Sequence, residues 1–173
     1  MNNEMVKKPK RLDIGCGANK VLGAIYLDID LKVNPDILHD LNKFPYPIEN
    51  DSFDEIYAKH VIEHLNDPAS FMCEIVRILK PGGTVFIETP HFSSRVAYSE
   101  PQHKLFFSYF MFNSLISGRD LEVVKQRITF YKSFRMVGIS CLANKFPDSY
   151  ERFWTYIFPA ENVTLLARKK SKS

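Results

Sequence analysis

Apolar positions fall along this chain in two rhythms. Short runs of β-branched, aromatic and leucine residues recur early, each closing on a glycine or an acid: RLDIG (11–15), AIYLDI (24–29), DILHDL (36–41), FDEIYA (53–58) and TVFIET (84–89). Two later runs, LEVVKQRITFY (121–131) and NVTLLAR (162–168), continue the pattern. Runs of β-formers bounded by turn residues predict seven strands. Between the fourth and fifth runs the rhythm changes. Phe71, Ile75, Ile78 and Leu79 recur at i, i+4, i+7 and i+8, the apolar stripe of a helix. Asp67 is a good N-cap, Pro68 suits the first helical position, and Lys80-Pro81-Gly82-Gly83 stops the helix. Strand, helix and strand make a parallel pair with a right-handed crossover. The predicted class is therefore α/β.

Three stretches depart from the pattern. Residues 91–120 carry two histidines, a proline, several serines and a cluster of phenylalanines and tyrosines. They are expected to form an irregular segment with a short helix over the sheet. Residues 132–161 are aromatic-rich, with a helix expected around DSYERFWTYIF (148–158). Few residues separate the first strand from the second, and VNP (33–35) leaves no room for a helix before the third. A parallel crossover usually takes a dozen residues or more, so the first crossover helix is expected to be reduced to a turn or missing.

The 173 residues suit one domain, 11–168, with basic tails at 1–10 and 169–173. A net charge of +3 is too small to argue for nucleic acid, so KKPKR (7–11) and RKKSKS (168–173) are taken as solvated ends. The start MNNEMVKKPK has no apolar leader, and LFFSYFMFNSLI (105–116) is too short to span a membrane. Three widely spaced cysteines, Cys16, Cys73 and Cys141, fit reduced thiols, and the expected compartment is the cytoplasm.

In a parallel sheet ligands bind beyond the carboxyl ends of the strands. What stands there is ordered: Gly15, Cys16 and Gly17 after the first strand, Asp28 and Asp30 after the second, Asp40 and Leu41 after the third, His60, Glu63 and His64 after the fourth, and His91 after the fifth. Paired glycines let a ligand press on bare backbone. A carboxylate on the next strand suits a ribose diol, and a third acceptor reaches an adenine amine. The dinucleotide pattern fails, because Lys20 stands at the third glycine position, and there is no Walker loop. An adenosine-bearing ligand without a required pyrophosphate fits best. His60, Glu63 and His64 also spell H-x-x-E-H, a zinc-hydrolase spacing. In a hydrolase that motif lies inside a helix with a third ligand, whereas here His60 closely follows a strand and Asn66-Asp67-Pro68 interrupts. The zinc hydrolase stays as an alternative, with no metal in the preferred reading.

LDIGCGANK (12–20) resembles the first motif of class I S-adenosylmethionine-dependent methyltransferases, and YLDID (26–30) resembles the second. NDSFDEIYAKHVIEHLNDPASFMCEIVRILKPGGTVFIETP (50–90) is similar, nearly position by position, to the small-molecule methyltransferase subgroup. TPHFSS and PQHKLFFS look like methyltransferases of sugar or polysaccharide pathways. The resemblance implies a Rossmann-like fold with a mostly parallel seven-stranded sheet and helices on both faces. It implies S-adenosyl-L-methionine as cofactor and a small-molecule acceptor methylated on oxygen or nitrogen. It places Asp13 and the backbone of Gly15, Cys16 and Gly17 at the methionine part, Asp28 and Ile29 at the ribose, Asp40 and Leu41 at the adenine, and His60 near the methionine end. His91, His103 and His64 are the candidate bases, and 91–120 the lid over the acceptor. The shortened first crossover also allows a methyltransferase-like protein that binds the cofactor without turnover.

Overall fold

The computed structural model describes residues 8–135 and 138–171. Seven strands form one sheet: β1 (Arg11–Ile14), β2 (Ala24–Asp28), β3 (Ile37–Leu38), β4 (Phe53–Lys59), β5 (Leu79–Pro90), β6 (Leu121–Ile128) and β7 (Asn162–Lys169). Their order is β3-β2-β1-β4-β5-β7-β6. β3 to β5 pair in parallel, while β7 runs antiparallel to β5 and to β6. The sheet is thus mixed rather than purely parallel. Its strand order reverses beside β1, and a Rossmann-like fold opens its ligand crevice at such a reversal.

The helix foreseen between β4 and β5 is α1 (Pro68–Ile78). The Asp67 carboxylate accepts from the amides of Ala69 and Ser70, both at 3.0 Å, satisfying donors that the first turn leaves orphaned. The helix stops at Ile78, just before the predicted Lys-Pro-Gly-Gly breaker, and Leu79 already lies in β5. Phe71, Met72, Ile75 and Ile78 are buried in the core.

Strand register puts Leu12, Ile14, Ile56, Ala58, Val85, Ile87, Leu165 and Ala167 on one face of the sheet. All are buried in one cluster with the apolar residues of α1 and of a second helix, which lies at Met111–Ile116. The other face carries Arg11, Tyr26, Glu55, Tyr57, Thr84, Phe86 and Leu166, none of them fully buried. Tyr57, Phe86 and Leu166 lie outside the core cluster. The reason lies in the crossovers. Residues 15–23 contain no helix, and β2 reaches β3 through only a 3-10 turn, Leu31–Val33. The expected loss of the first crossover helix is what the described residues show, and it leaves the described helices unevenly shared between the faces.

The segment after β5 holds two short helices, α2 (Arg95–Ser99) and α3 (Met111–Ile116). In the aromatic run between them Phe107 and Phe112 are buried in the core, while Phe106 stacks on exposed Tyr98 at 4.7 Å. After β6 come α4 (Lys132–Arg135), α5 (Ile139–Lys145) and α6 (Pro147–Ser149). α6 leads into a π turn, Tyr150–Trp154, closed by the Thr155 amide on the Tyr150 carbonyl at 3.0 Å. The helix expected over 148–158 is therefore shorter and wider than an α-helix. A second cluster, Ile128, Phe130, Ile139, Ala143, Tyr150 and Ala160, holds this part together. Of the basic ends, residues 1–7 and 172–173 lie outside the described residues. Lys169 belongs to β7, and its ammonium donates to Asp51 Oδ1 and the Leu79 carbonyl, both at 2.6 Å.

Candidate active site

At the carboxyl ends of β1, β2, β3 and β4 lies an open cavity of about 270 Å³. Gly15, Asp28, Ile29, Asp40, Leu41 and His60 line it, all of them foreseen from sequence. Gly15 takes φ of +60°, and Gly17 takes +48°. The turn between them folds back on β2, where the Gly15 amide donates to the Leu27 carbonyl at 2.7 Å. The Gly17 amide donates to Asp28 Oδ2 at 3.0 Å, and the Asp30 amide donates to Asp28 Oδ1, also at 3.0 Å. A carboxylate has about four acceptor sites, so Asp28 is locked in place with capacity left for a diol.

Asp40 is built similarly. The amide of Asn42 donates to its Oδ1 at 3.0 Å, and that bond is the main cause holding its carboxyl below the usual range. Leu41 beside it is positioned from a distance. Its carbonyl accepts the Tyr46 hydroxyl at 3.0 Å. The Tyr46 amide in turn donates to buried Glu74 of α1 at 2.8 Å, and Arg77 grips Glu74 at 2.7 Å. One turn of α1 thereby fixes the loop that forms the cavity's far wall.

His60 ends β4 at φ of +54°. That backbone turn sends its ring between two carboxylates, 3.5 Å from Glu63 Oε1 and 3.6 Å from Glu88 Oε1. Glu63 first and Glu88 second raise its pKa to about 9, against the opposing cost of burial. The two carboxylates thus favour the charged form of the ring and pair with it. The H-x-x-E-H run forms only a 3-10 turn, Ile62–His64. It does not present His60 and His64 on one helical face, so the hydrolase ligand set read from sequence is not assembled.

Three expected site residues lie behind the cavity wall. Asp13 is buried, and its Oδ2 accepts from the Val21 amide at 2.8 Å, closing the loop that stands where a crossover helix would be. Burial pushes its carboxyl up. Cys16 is buried as an apolar filler, and Gly17 meets Asp28 rather than the cavity. Among the candidate bases, His91 is corrected most sharply. Its side chain is fully buried, with Nδ1 2.8 Å from Ser93 Oγ and Nε2 3.1 Å from Glu151 Oε1. Both nitrogens are engaged away from the cavity, so His91 fastens the segment after β5 to the π turn. His64 does line the cavity, and its Nδ1 lies 3.3 Å from the Gln102 carbonyl. His103 sits beneath it, ring centroids 4.7 Å apart, with Nδ1 3.0 Å from the Ala97 carbonyl.

Asn42, Val61, Leu65 and Gln102 complete the lining and were missed in the sequence. Asn42 and Leu65 adjoin residues already singled out. Gln102 comes from the distant segment after β5, which docks on the 3-10 turn by donating the Lys104 amide (2.8 Å) and the Leu105 amide (3.2 Å) to the Glu63 carbonyl. No local pattern announces that contact.

The fold is the Rossmann-like fold of class I S-adenosylmethionine-dependent methyltransferases. Residues 12–87 match the family model described as a methyltransferase domain. The chain is 36% identical over 89 residues to the mitochondrial ubiquinone biosynthesis O-methyltransferase of Dictyostelium discoideum, covering 46% of this chain and 28% of that protein. It is 39% identical over 64 residues to a probable S-adenosylmethionine-dependent methyltransferase of Mycolicibacterium smegmatis, covering 37% and 23%. The matched stretch thus spans under a third of either curated relative. The crystal structure of a SAM-dependent methyltransferase from Archaeoglobus fulgidus superposes with a TM-score of 0.65 at 20% identity, covering 94% of this chain and 87% of that one. That likeness is one of fold.

Proposed function

We propose that this chain binds S-adenosyl-L-methionine and transfers its methyl group to an oxygen or nitrogen of a small molecule. The observation that carries the reading is Asp28. It stands at the carboxyl end of β2, held by two amides, and shares one cavity with the bare backbone of Gly15 and with Asp40 and Leu41. In this reading Asp28 takes the ribose hydroxyls, with Ile29 against the sugar. Asp40 and Asn42 meet the adenine edge and Leu41 packs on its ring. Gly15 and His60 flank the methionine part. The cofactor supplies the activated methyl, and the protein aligns it with the acceptor.

The acceptor enters on the side of His64 and Gln102, under the segment 91–120 as lid. An acceptor hydroxyl needs help in losing its proton, and His64 is the histidine placed to take it. No helix among the described residues is long and apolar enough to cross a membrane, and a cytoplasmic setting is part of the proposal. The missing first crossover helix favours one competing reading, a chain that binds the cofactor without turnover.

Calorimetric titration of S-adenosylhomocysteine tests the proposal, with Asp28→Ala alongside. Micromolar binding to the unaltered chain, lost in the variant, is expected. A folded chain that binds none refutes it. Binding with no methyl transfer to any acceptor tried favours the competing reading.

A further inference from the structure

We infer that Glu63, His64 and His103 form a site for a divalent transition-metal ion of the zinc type, set in the cavity wall where the lid segment docks. One ligand atom of each lies within 4.8 Å of the others. The set differs from the sequence motif: His60 is outside it, and His103 comes from the far side of the lid.

The hydrogen bonds around the cluster carry the argument. Glu63 is 1% exposed. Its Oε2 accepts from the Thr89 hydroxyl at 2.9 Å, but its buried Oε1 has no hydrogen bond. The nearest ring nitrogens are His60 Nδ1 at 3.5 Å, whose ring is shared with Glu88, and His103 Nε2 at 3.9 Å. The side chain of His103 is 5% exposed. Its Nδ1 faces the Ala97 carbonyl, which can only accept, so Nδ1 donates there and Nε2 is the nitrogen turned toward Glu63. His64 repeats the arrangement, with Nδ1 on the Gln102 carbonyl. A buried carboxylate oxygen without a hydrogen bond thus stands among two imidazole rings. A cation among them gives that oxygen its partner.

The chemistry of the donors selects the ion. Two imidazoles and one carboxylate suit zinc and its transition-metal neighbours, whereas magnesium and calcium prefer oxygen alone. The outer contacts are those metal-binding histidines usually have, each ring fixed by a backbone carbonyl on its other nitrogen, and the carboxylate is oriented by Thr89. Ligands about 2.0–2.1 Å from a tetrahedral ion stand about 3.4 Å apart, so small side-chain rotations close the set.

Because His64 lines the cavity, the ion's fourth position faces the acceptor side. This part rests on the methyltransferase reading and names its acceptor class, a small molecule with a hydroxyl that the metal can hold. Metal binding acidifies that hydroxyl; with the ion bound, His64 is a ligand and no longer the base, and the proton leaves to water. An oxygen lone pair then forms the bond to the methyl carbon as the carbon–sulfur bond breaks. The electron pair stays on sulfur, and the metal keeps its oxidation state.

Cobalt(II) titrated into metal-stripped protein is the test. One equivalent should bind with visible bands of nitrogen and oxygen ligation and no thiolate band, since the three cysteines lie outside the set. His64→Ala and His103→Ala should each weaken binding by about tenfold or more. If His103→Ala fails to fold, the stoichiometry of the unaltered chain and His64→Ala decide. No saturable binding at micromolar cobalt, or equal binding by both variants, overturns the site, as does proton NMR showing His103 doubly protonated without metal affinity. Calorimetry of S-adenosylhomocysteine on the stripped chain separates the two proposals. Cofactor binding without metal affinity sinks only the metal site; metal binding without cofactor binding sinks the methyltransferase reading.

Discussion

Gly15 is held by two constraints at once. Its φ of +60° favours a residue without a Cβ, and a Cβ built there would stand 2.4 Å from Val61 Cγ2. The backbone cost of an ordinary residue in this region is about 1–2 kcal/mol, and the clash adds to it. Gly15→Ala should therefore lower stability in urea by about 2 kcal/mol or more. The double variant Gly15→Ala/Val61→Ala should lose less than the sum of the singles, because removing the valine methyls relieves the clash but not the strain. Additive losses would show that the close approach costs nothing. Glu74 makes a second prediction. Its carboxyl lies below the usual range chiefly through the Arg77 guanidinium. Its contribution to stability is therefore complete above the unfolded carboxylate pKa and fades as pH falls through the lowered value. Glu74→Gln should cost about 1–3 kcal/mol at neutral pH and flatten that acid-side loss, read from denaturation curves at several pH values. Gly15, Asp28, Asp40 and His60 were visible in the sequence because each follows a strand directly. Gln102 was not, because tertiary contact alone brings it to the cavity.

At the scale of elements, all seven strands were legible, since each is a run of β-formers closed by a glycine, an acid or a turn. α1 was legible because its cap, its apolar stripe and its stop agree. Asp67→Ala should lower the melting temperature more than Asp67→Asn, since asparagine keeps a side-chain oxygen for the cap. An equal fall in both would show that charge rather than the hydrogen bond matters. α2 to α6 were not legible one by one. They are too short for periodicity to show, and tertiary partners hold them, as the Asn144 side chain of α5 does by donating to the Ile128 carbonyl at 2.8 Å. Their packing leaves Leu142, Phe146 and Trp154 largely exposed on an apolar cavity of about 490 Å³. Trp154 is the single tryptophan of the chain, and it is 49% exposed. Its fluorescence should be quenched readily by acrylamide in the folded protein. Protection from the quencher would mean that this region packs more tightly than described.

At the scale of the molecule, the strand reversal beside β1 gathers residues from four strand ends into one cavity, which is why fold class alone foretold where that cavity would lie. The direct run from β1 to β2 has a further consequence, in the order of assembly. Arg11 finds its partner Ala24 only 13 residues away, whereas Thr84 must meet Arg168 across 84. Closing the longer loop costs about 1.6 kcal/mol more in chain entropy. The amino-terminal strands, carrying the glycine turn and Asp28, can therefore pair before β7 threads between β5 and β6. Native-state hydrogen exchange should find the amides of β6 opening at lower free energy than those of β1. Uniform protection across the sheet would contradict this. A nascent chain built this way holds its cavity in outline while its far edge is still unmade.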